Sequence, residues 1–399
     1  MNKNFTLLAM VFFLWGNITA INSGIIIFFF QYFHIGWRSA MLATVLFYIA
    51  PFIACLPCSW LISRWGYRRV LQYSLLITAA GCLALAGALR AATFPGSLMA
   101  TFLVALGIAA LQVVANPYLA LLCPPDKRTG HLSLASAVNS LGTTLAPLVL
   151  AFLLSNNTVD PVLHREPISS LWLVLAVASF MIAAGITVLR LPDVTGPIPV
   201  IAHPSGFRQR PQMLFHVAAI FGYVGVEVTL ATNLVKYLLA TSSWQTSTAL
   251  SLITFYWGGA LLGRLLFGLL AHRLNNGVIF IGATLFCLLL VALAMMLNNQ
   301  IGSCLLLAAG FGNAVMYPII FSDGINRYLQ QANVLAAAMV MAGIGGAVIP
   351  WLQTLLGDAI GLRASFVLPL IMYLLLALWG MRVLAQRKTD LRANPASLS

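Results

Sequence analysis

Apolar residues along this chain fall in long unbroken runs, not in the spaced stripe of a surface helix or the alternation of a half-buried strand. Twelve runs stand near residues 6–30, 40–62, 70–89, 96–122, 132–154, 170–189, 213–239, 247–271, 277–297, 301–322, 334–356 and 365–384. A helix needs roughly 20 mainly apolar residues to cross the hydrocarbon of a bilayer, and each run supplies about that many. Helices are expected, because an unpaired backbone group in lipid is costly and the alternating pattern of a membrane barrel is absent. The predicted fold class is therefore an all-α membrane protein of twelve transmembrane helices. The first run is too long, and lacks a small-residue cleavage site, for a removed signal peptide. Between residues 191 and 212 the pattern breaks. Pro192, Pro197, Pro199, Pro204 and Pro211, with Arg208 and Arg210, exclude a continuous helix there. The reading divides the chain into an N-terminal six-helix bundle (1–190), a connector (191–212) and a C-terminal six-helix bundle with a short tail (213–399).

Composition narrows the class. Of 399 residues, 61% are hydrophobic and 7% charged, against about 45–50% and about 25% in soluble domains. So few charges cannot clothe a soluble surface, which excludes a soluble enzyme, a nucleic-acid binder, a coiled coil and a disordered scaffold. The net charge of +13 is no nucleic-acid footprint, since the bases lie in short turns between apolar runs. With the N-terminus placed inside, fifteen of the 21 Lys and Arg fall on the inner side, five on the outer side, and Arg264 lies within the eighth run. This bias predicts both termini in the cytoplasm and a multi-pass protein of the inner membrane. Arg264 is expected to snorkel to the inner face. Cys55-Leu-Pro-Cys58 has a redox spacing, yet it lies in an apolar helix and reads as buried thiols.

The halves echo each other. Phe47-Tyr48 followed by Ser63-Arg64 returns as Tyr256-Trp257 followed by His272-Arg273, and the Pro147 of span five returns as Pro350 of span eleven. Two pseudo-symmetric six-helix bundles related along the membrane normal resemble the major facilitator fold, in which the bundles rock about a central site. The turn Ser59-Trp-Leu-Ile-Ser63-Arg64-Trp-Gly66-Tyr-Arg68-Arg69 resembles the signature turn of that superfamily, with Ser59 and Ser63 in place of its Gly and Asp.

Polar groups at membrane depth are functional suspects, because each must find a partner or face water. Trp15, Thr19 and Asn22 share one face of span one, beside Asn17 and Ser23. Gln112 and Asn116 share a face of span four, and Ser136, Asn139 and Thr143 a face of span five. Tyr223 and Glu227 do so on span seven, with Asn233 further out, and Asn313 and Tyr317 on span ten. Amides both donate and accept, matching sugar hydroxyls, and aromatic faces suit the C–H faces of a pyranose. Glu227 is one of two Glu in the chain, the other being Glu166 in a loop. Three readings of it stand open: a coupling acid, an acceptor for sugar hydroxyls, or a structural pair. Asp323, at the end of span ten near Arg327, reads as an inner-gate ion pair or a turn residue; Arg64 and Arg273 are further gate candidates.

Several stretches together resemble the L-fucose permease and glucose/galactose transporter family. They are Phe13-Leu14-Trp15-Gly16 with Asn22, Gln112-Val-Val-Ala115-Asn116-Pro117-Tyr118, Tyr223-Val-Gly-x-Glu227, Gly263-Arg264 with Gly268, and Met316-Tyr317-Pro318-x-Ile-Phe321. The resemblance implies uptake of a monosaccharide, driven by a proton and in some relatives by sodium. The first-span Asp of the family would fall at Ser23 and its fourth-span Glu at Gln112, so both of its proton-carrying acids are replaced. Coupling then rests on Glu227, or sodium replaces the proton, or the carrier is uncoupled.

The expectation is a secondary transporter for a small neutral sugar, working by alternating access. Its site would draw on Trp15, Asn22, Gln112, Asn116, Asn139, Tyr223, Glu227, Asn313 and Tyr317. No metal or cofactor is expected beyond a co-transported proton or sodium ion. The expected partners are the sugar and the bilayer, with no nucleic acid, and the protein is expected to be a monomer. The alternatives are an uncoupled sugar facilitator and a multidrug or other efflux carrier. An enzyme would need an acid, base or nucleophile cluster that the runs do not show.

Overall fold

The fold is described from a computed structural model covering residues 3–122, 128–154, 165–189, 191–192, 212–270, 275–328 and 332–393. Among them the chain forms sixteen α-helices and no strand. The first six are α1 (Lys3–Tyr32), α2 (Trp37–Ala40), α3 (Leu42–Arg90), α4 (Phe94–Leu122), α5 (Arg128–Leu153) and α6 (Arg165–Val188). After the connector come α7 (Met213–Thr241), α8 (Thr246–Leu270), α9 (Asn276–Leu297), α10 (Gln300–Leu307), α11 (Ala309–Asn313), α12 (Met316–Arg327), α13 (Ala332–Met341), α14 (Gly345–Ile360), α15 (Leu362–Ser365) and α16 (Val367–Ala393). Together they supply 12 helices long and apolar enough to cross a membrane, six before residue 189 and six after residue 212. Most of the connector, and with it Arg273, lies outside the described residues.

The chain departs from straight spans at three places, and glycine or proline explains each. The second and third spans run together in α3, where Gly66 (φ 75°, ψ 165°) turns the chain between them. That left-handed φ suits glycine because a Cβ would be strained there. Span ten is broken into α10, α11 and α12 around Gly310, Gly312 and Pro318, and span eleven passes through a 3₁₀ turn at Ala342–Ile344 beside Gly343 and Gly345. Glycine weakens helix interiors and proline removes a backbone donor, so the ladder yields at these points.

Twelve alternating crossings put both ends of the described chain on one face of the molecule, here called the terminal end; the turns at 33–36, 91–93 and 242–245 mark the distal end. Small residues set the helix spacing. A side-chain carbon at Gly142 of α5 would lie 2.5 Å from the Phe13 carbonyl of α1, and the Asn139 carbonyl sits against Gly16, so the two backbones touch. In the second half the Tyr256 carbonyl of α8 sits against Gly310 of α11 in the same way. Large apolar side chains such as Phe152 and Met296 stay exposed on the outside of the bundle. That surface suits lipid rather than water.

Candidate transport site

The two halves meet along α5 with α8 and along α3 with α14. Gly258 approaches Thr144, and the ring of Tyr48 lies on Gly346. At the distal end the halves are joined by polar contacts. Trp37 Nε1 donates to Asn233 Oδ1 at 3.2 Å, and Asn233 Nδ2 donates to Gln353 Oε1 at 2.7 Å. All three residues are buried. Lys236 stands over the Trp37 ring, Gln31 donates to Thr246 at 3.0 Å, and Arg38 pairs with Asp358 at 3.2 Å on the rim. This end is shut.

Toward the other end, polar side chains of α4 become accessible. Ala105, Ala109, Gln112 and Asn116 follow one helical face, at steps of four, three and four residues. The two alanines, further from the terminal end, are buried; Gln112 is half-buried and Asn116 exposed. Exposure thus grows along this face toward the terminal end. Trp15 is half-buried on α1 with its ring 5.6 Å from that of Phe12. Asn22 is 1% exposed, and its Nδ2 has no hydrogen-bond partner among the described residues. A buried donor left unpaired costs stability and is a natural contact for a ligand oxygen.

The second half supplies the ionisable layer. Tyr223 Oη donates to Glu227 Oε1 at 2.7 Å, one turn along α7. Arg264 Nη2 lies 3.7 Å from that same Oε1, and Arg264 Nη1 donates to Ser140 Oγ of α5 at 2.8 Å. Tyr317 stacks on Phe321 at 5.7 Å and lies 6.1 Å from the Tyr223 ring. Tyr48 stands beside Ser23 and faces Glu227 from α3. The arrangement holds a carboxyl between phenols and a guanidinium at the contact of the two halves.

Several expected positions lie elsewhere. Asn139 donates to the Phe12 carbonyl at 2.9 Å and seals α1 against α5. Asn313 is fully buried: its Nδ2 donates to Tyr256 Oη at 2.9 Å and its Oδ1 accepts from Tyr373 at 2.8 Å. Both amides are committed to helix contacts, because glycines bring the backbones close enough for them to reach across. Arg264 does not snorkel to the surface. It turns into the centre, where Glu227 and Ser140 satisfy it, so membrane depth holds a base as well as an acid. Asp323 is buried between His216 (3.0 Å) and Arg327 (2.8 Å), tying α12 to α7. Arg64 lies over the Trp60 ring at 4.4 Å on an exposed turn. The sequence reading passed over Ser140, Tyr256 and the distal set of Trp37 and Gln353. For Tyr256 the signal was its place in the internal repeat; for Trp37 and Gln353 it was polar capacity near a span end opposite Asn233.

The comparisons with known proteins agree with the twelve-helix fold. The sequence profile described as Major Facilitator Superfamily matches residues 7–329. The chain is 30% identical over 383 residues to a glucose/galactose transporter of Brucella abortus, covering 94% of this chain and 93% of that one. It is 26% identical over 431 residues to an L-fucose-proton symporter of Haemophilus influenzae, covering 95% and 96%. Among solved structures, the fucose:proton symporter of E. coli superposes with a TM-score of 0.72 at 19% identity, covering 95% and 98%. The twelve-span fold, the match over most of the chain and the relatives' full-length coverage lead to one conclusion: the chain is a multi-pass membrane protein that belongs to the Major Facilitator Superfamily, in the branch holding the glucose/galactose transporters and L-fucose symporters.

Proposed function

We propose that the protein carries a small neutral monosaccharide, a hexose or deoxyhexose, across the cytoplasmic membrane by alternating access. The observation that supports the proposal is the unlike polar equipment of the two halves: Gln112, Asn116 and the unpaired Asn22 amide in the first, and Glu227 between Tyr223 and Arg264 in the second. Amides answer hydroxyls in both directions, and the phenol rings of Tyr223 and Tyr317 give the sugar ring apolar faces. The curated relatives named for glucose, galactose and fucose support the same cargo class.

In this reading the terminal end faces the cytoplasm, as the basic turns require. The state described is then inward-facing: shut outside by the distal contacts and accessible inside along α4. The two six-helix units, 1–190 and 213–399, rock about the α5–α8 and α3–α14 contacts, with one chain forming the working unit. Uptake is driven by a co-transported proton or sodium ion acting at Glu227.

The test is uptake into proteoliposomes. A panel of labelled hexoses and deoxyhexoses is offered across roughly pH 5.5 to 8, with and without sodium, since a carboxyl is the titrating group. Saturable uptake of one or two sugars, competed by unlabelled sugar, is the expected result. Saturable dye export with no response to any sugar would overturn the proposal.

A further inference from the structure

The guanidinium of Arg264 touches both halves at once. Its Nη1 donates to Ser140 Oγ of α5 at 2.8 Å, and its Nη2 lies 3.7 Å from the Glu227 carboxylate of α7. The Ser140 position is itself fixed. Its carbonyl accepts from Thr143 and Thr144, both at 2.8 Å, and the neighbouring Asn139 pins α5 to α1. The Glu227 position is equally fixed, since its carbonyl accepts from Tyr256 at 3.0 Å. Arg264 therefore sits between two anchored partners, one of which can lose its charge while the other cannot.

The groups facing the Glu227 carboxyl are few. Tyr223 comes from its own helix, Arg264 and Tyr256 from α8, Tyr317 from α12 and Tyr48 from α3. Four are phenols, neutral at ordinary pH, and arginine keeps its charge throughout. The only charge in this set that changes near neutrality is that of Glu227.

We propose that Arg264 is a positioning residue through which the charge on Glu227 sets the grip between the two halves. With Glu227 neutral, its carboxyl competes only weakly for the guanidinium, which stays on Ser140 and holds α5 against α8 in the distal-closed arrangement. With Glu227 charged, the carboxylate draws the guanidinium toward α7, the bond to Ser140 lengthens, and the halves are released to rock. The proton enters and leaves Glu227 Oε by exchange with water, and no other covalent bond forms or breaks. This inference rests on the reading of Glu227 as the coupling acid. It adds the part that turns a proton into motion.

The experiment follows closure of the distal end with no sugar present. Spin labels are placed at Gly36→Cys, where a side chain meets open space, and at the exposed Ser243→Cys on the facing distal turn. Their separation is read by electron paramagnetic resonance in full-length protein in lipid nanodiscs, and the protein without the two added cysteines supplies the baseline. The parent should pass from mostly short to mostly long separations as pH rises. The closed-to-open ratio should change about tenfold, the size expected of one charge-assisted hydrogen bond. Glu227→Gln should stay short at every pH. Arg264→Gln and Ser140→Ala should lose the step, while Arg264→Lys, which keeps the cation, should retain it. A parent with no step, or an Arg264→Gln protein with the parent's step at the same midpoint, would overturn the proposal. Should Arg264→Gln fail to fold, the loss of the step in Ser140→Ala against its retention in Arg264→Lys decides the matter. Because the labels report closure without sugar, failure here leaves the cargo proposal standing, and an empty sugar panel leaves this test intact.

Discussion

The two halves handle their polar residues in opposite ways. In residues 3–188 the amides divide sharply: Asn139 bonds the α1 backbone, whereas Gln112 and Asn116 stand open on α4, and none of these carries charge. In residues 213–393 the polar groups form one connected chain from Tyr373 through Asn313 to Tyr256, whose hydroxyl reaches the Glu227 backbone. Tyr223 and Arg264 then hold the Glu227 side chain. The first half offers a neutral, unsatisfied surface that a ligand can complete; the second offers a rigid scaffold around a titratable group. In the proposed function, recognition and energy coupling would fall to separate halves, and each could be changed without rebuilding the other.

This contrast can be broken at its ends. The largest effect is expected from Glu227→Gln, which keeps the hydrogen bond but removes the charge: accumulation of labelled sugar against a gradient in proteoliposomes should vanish while sugar exchange persists. Accumulation in that variant would move coupling off the second half. Next comes Asn313→Leu, which leaves the Tyr256 and Tyr373 hydroxyls without their amide. Tyr373 Oη is then a stranded donor, while Tyr256 Oη loses a bond it accepts but still donates to the Glu227 carbonyl; a stranded buried group costs about 1–3 kcal/mol, so the melting temperature should drop by several degrees while the order of preferred sugars stays the same.

Asn116→Ala sharpens the other side. An open amide has no internal partner to strand, so stability should hold and sugar affinity should fall about tenfold, near the worth of one hydrogen bond. Binding calorimetry beside a melting curve separates the two outcomes. The smallest effect is expected at Asp358→Ala on the distal rim. Its pair with Arg38 is exposed on both sides, and such pairs contribute roughly 0–1 kcal/mol. A melting temperature unchanged within error, in low and high salt, is the expected reading.

The spans were legible because bilayer thickness dictates their length. The breaks inside spans ten and eleven could be seen only as glycines, since a glycine permits a bend without requiring one. The site was legible by chemistry and less so by direction. Asn116, Asn139 and Asn313 present the same amide at the same helical spacing, and only the neighbouring backbone decides whether each meets water or a carbonyl. Arg264 was misplaced for the same reason. A cation near the end of an apolar run satisfies the snorkelling rule equally well, and its partner Ser140 lies 124 residues away in sequence.

The bonds from Trp37 through Asn233 to Gln353 are closed to solvent and lie in the seam between the halves. When that seam parts, the Trp37 indole and the Asn233 oxygen must each exchange a protein neighbour for a water molecule, whereas Asn233 and Gln353, both of the second half, keep their bond. The mouth of the passage is thus hydrated as it forms, and a hydroxylated solute arriving there finds groups already suited to replace that water.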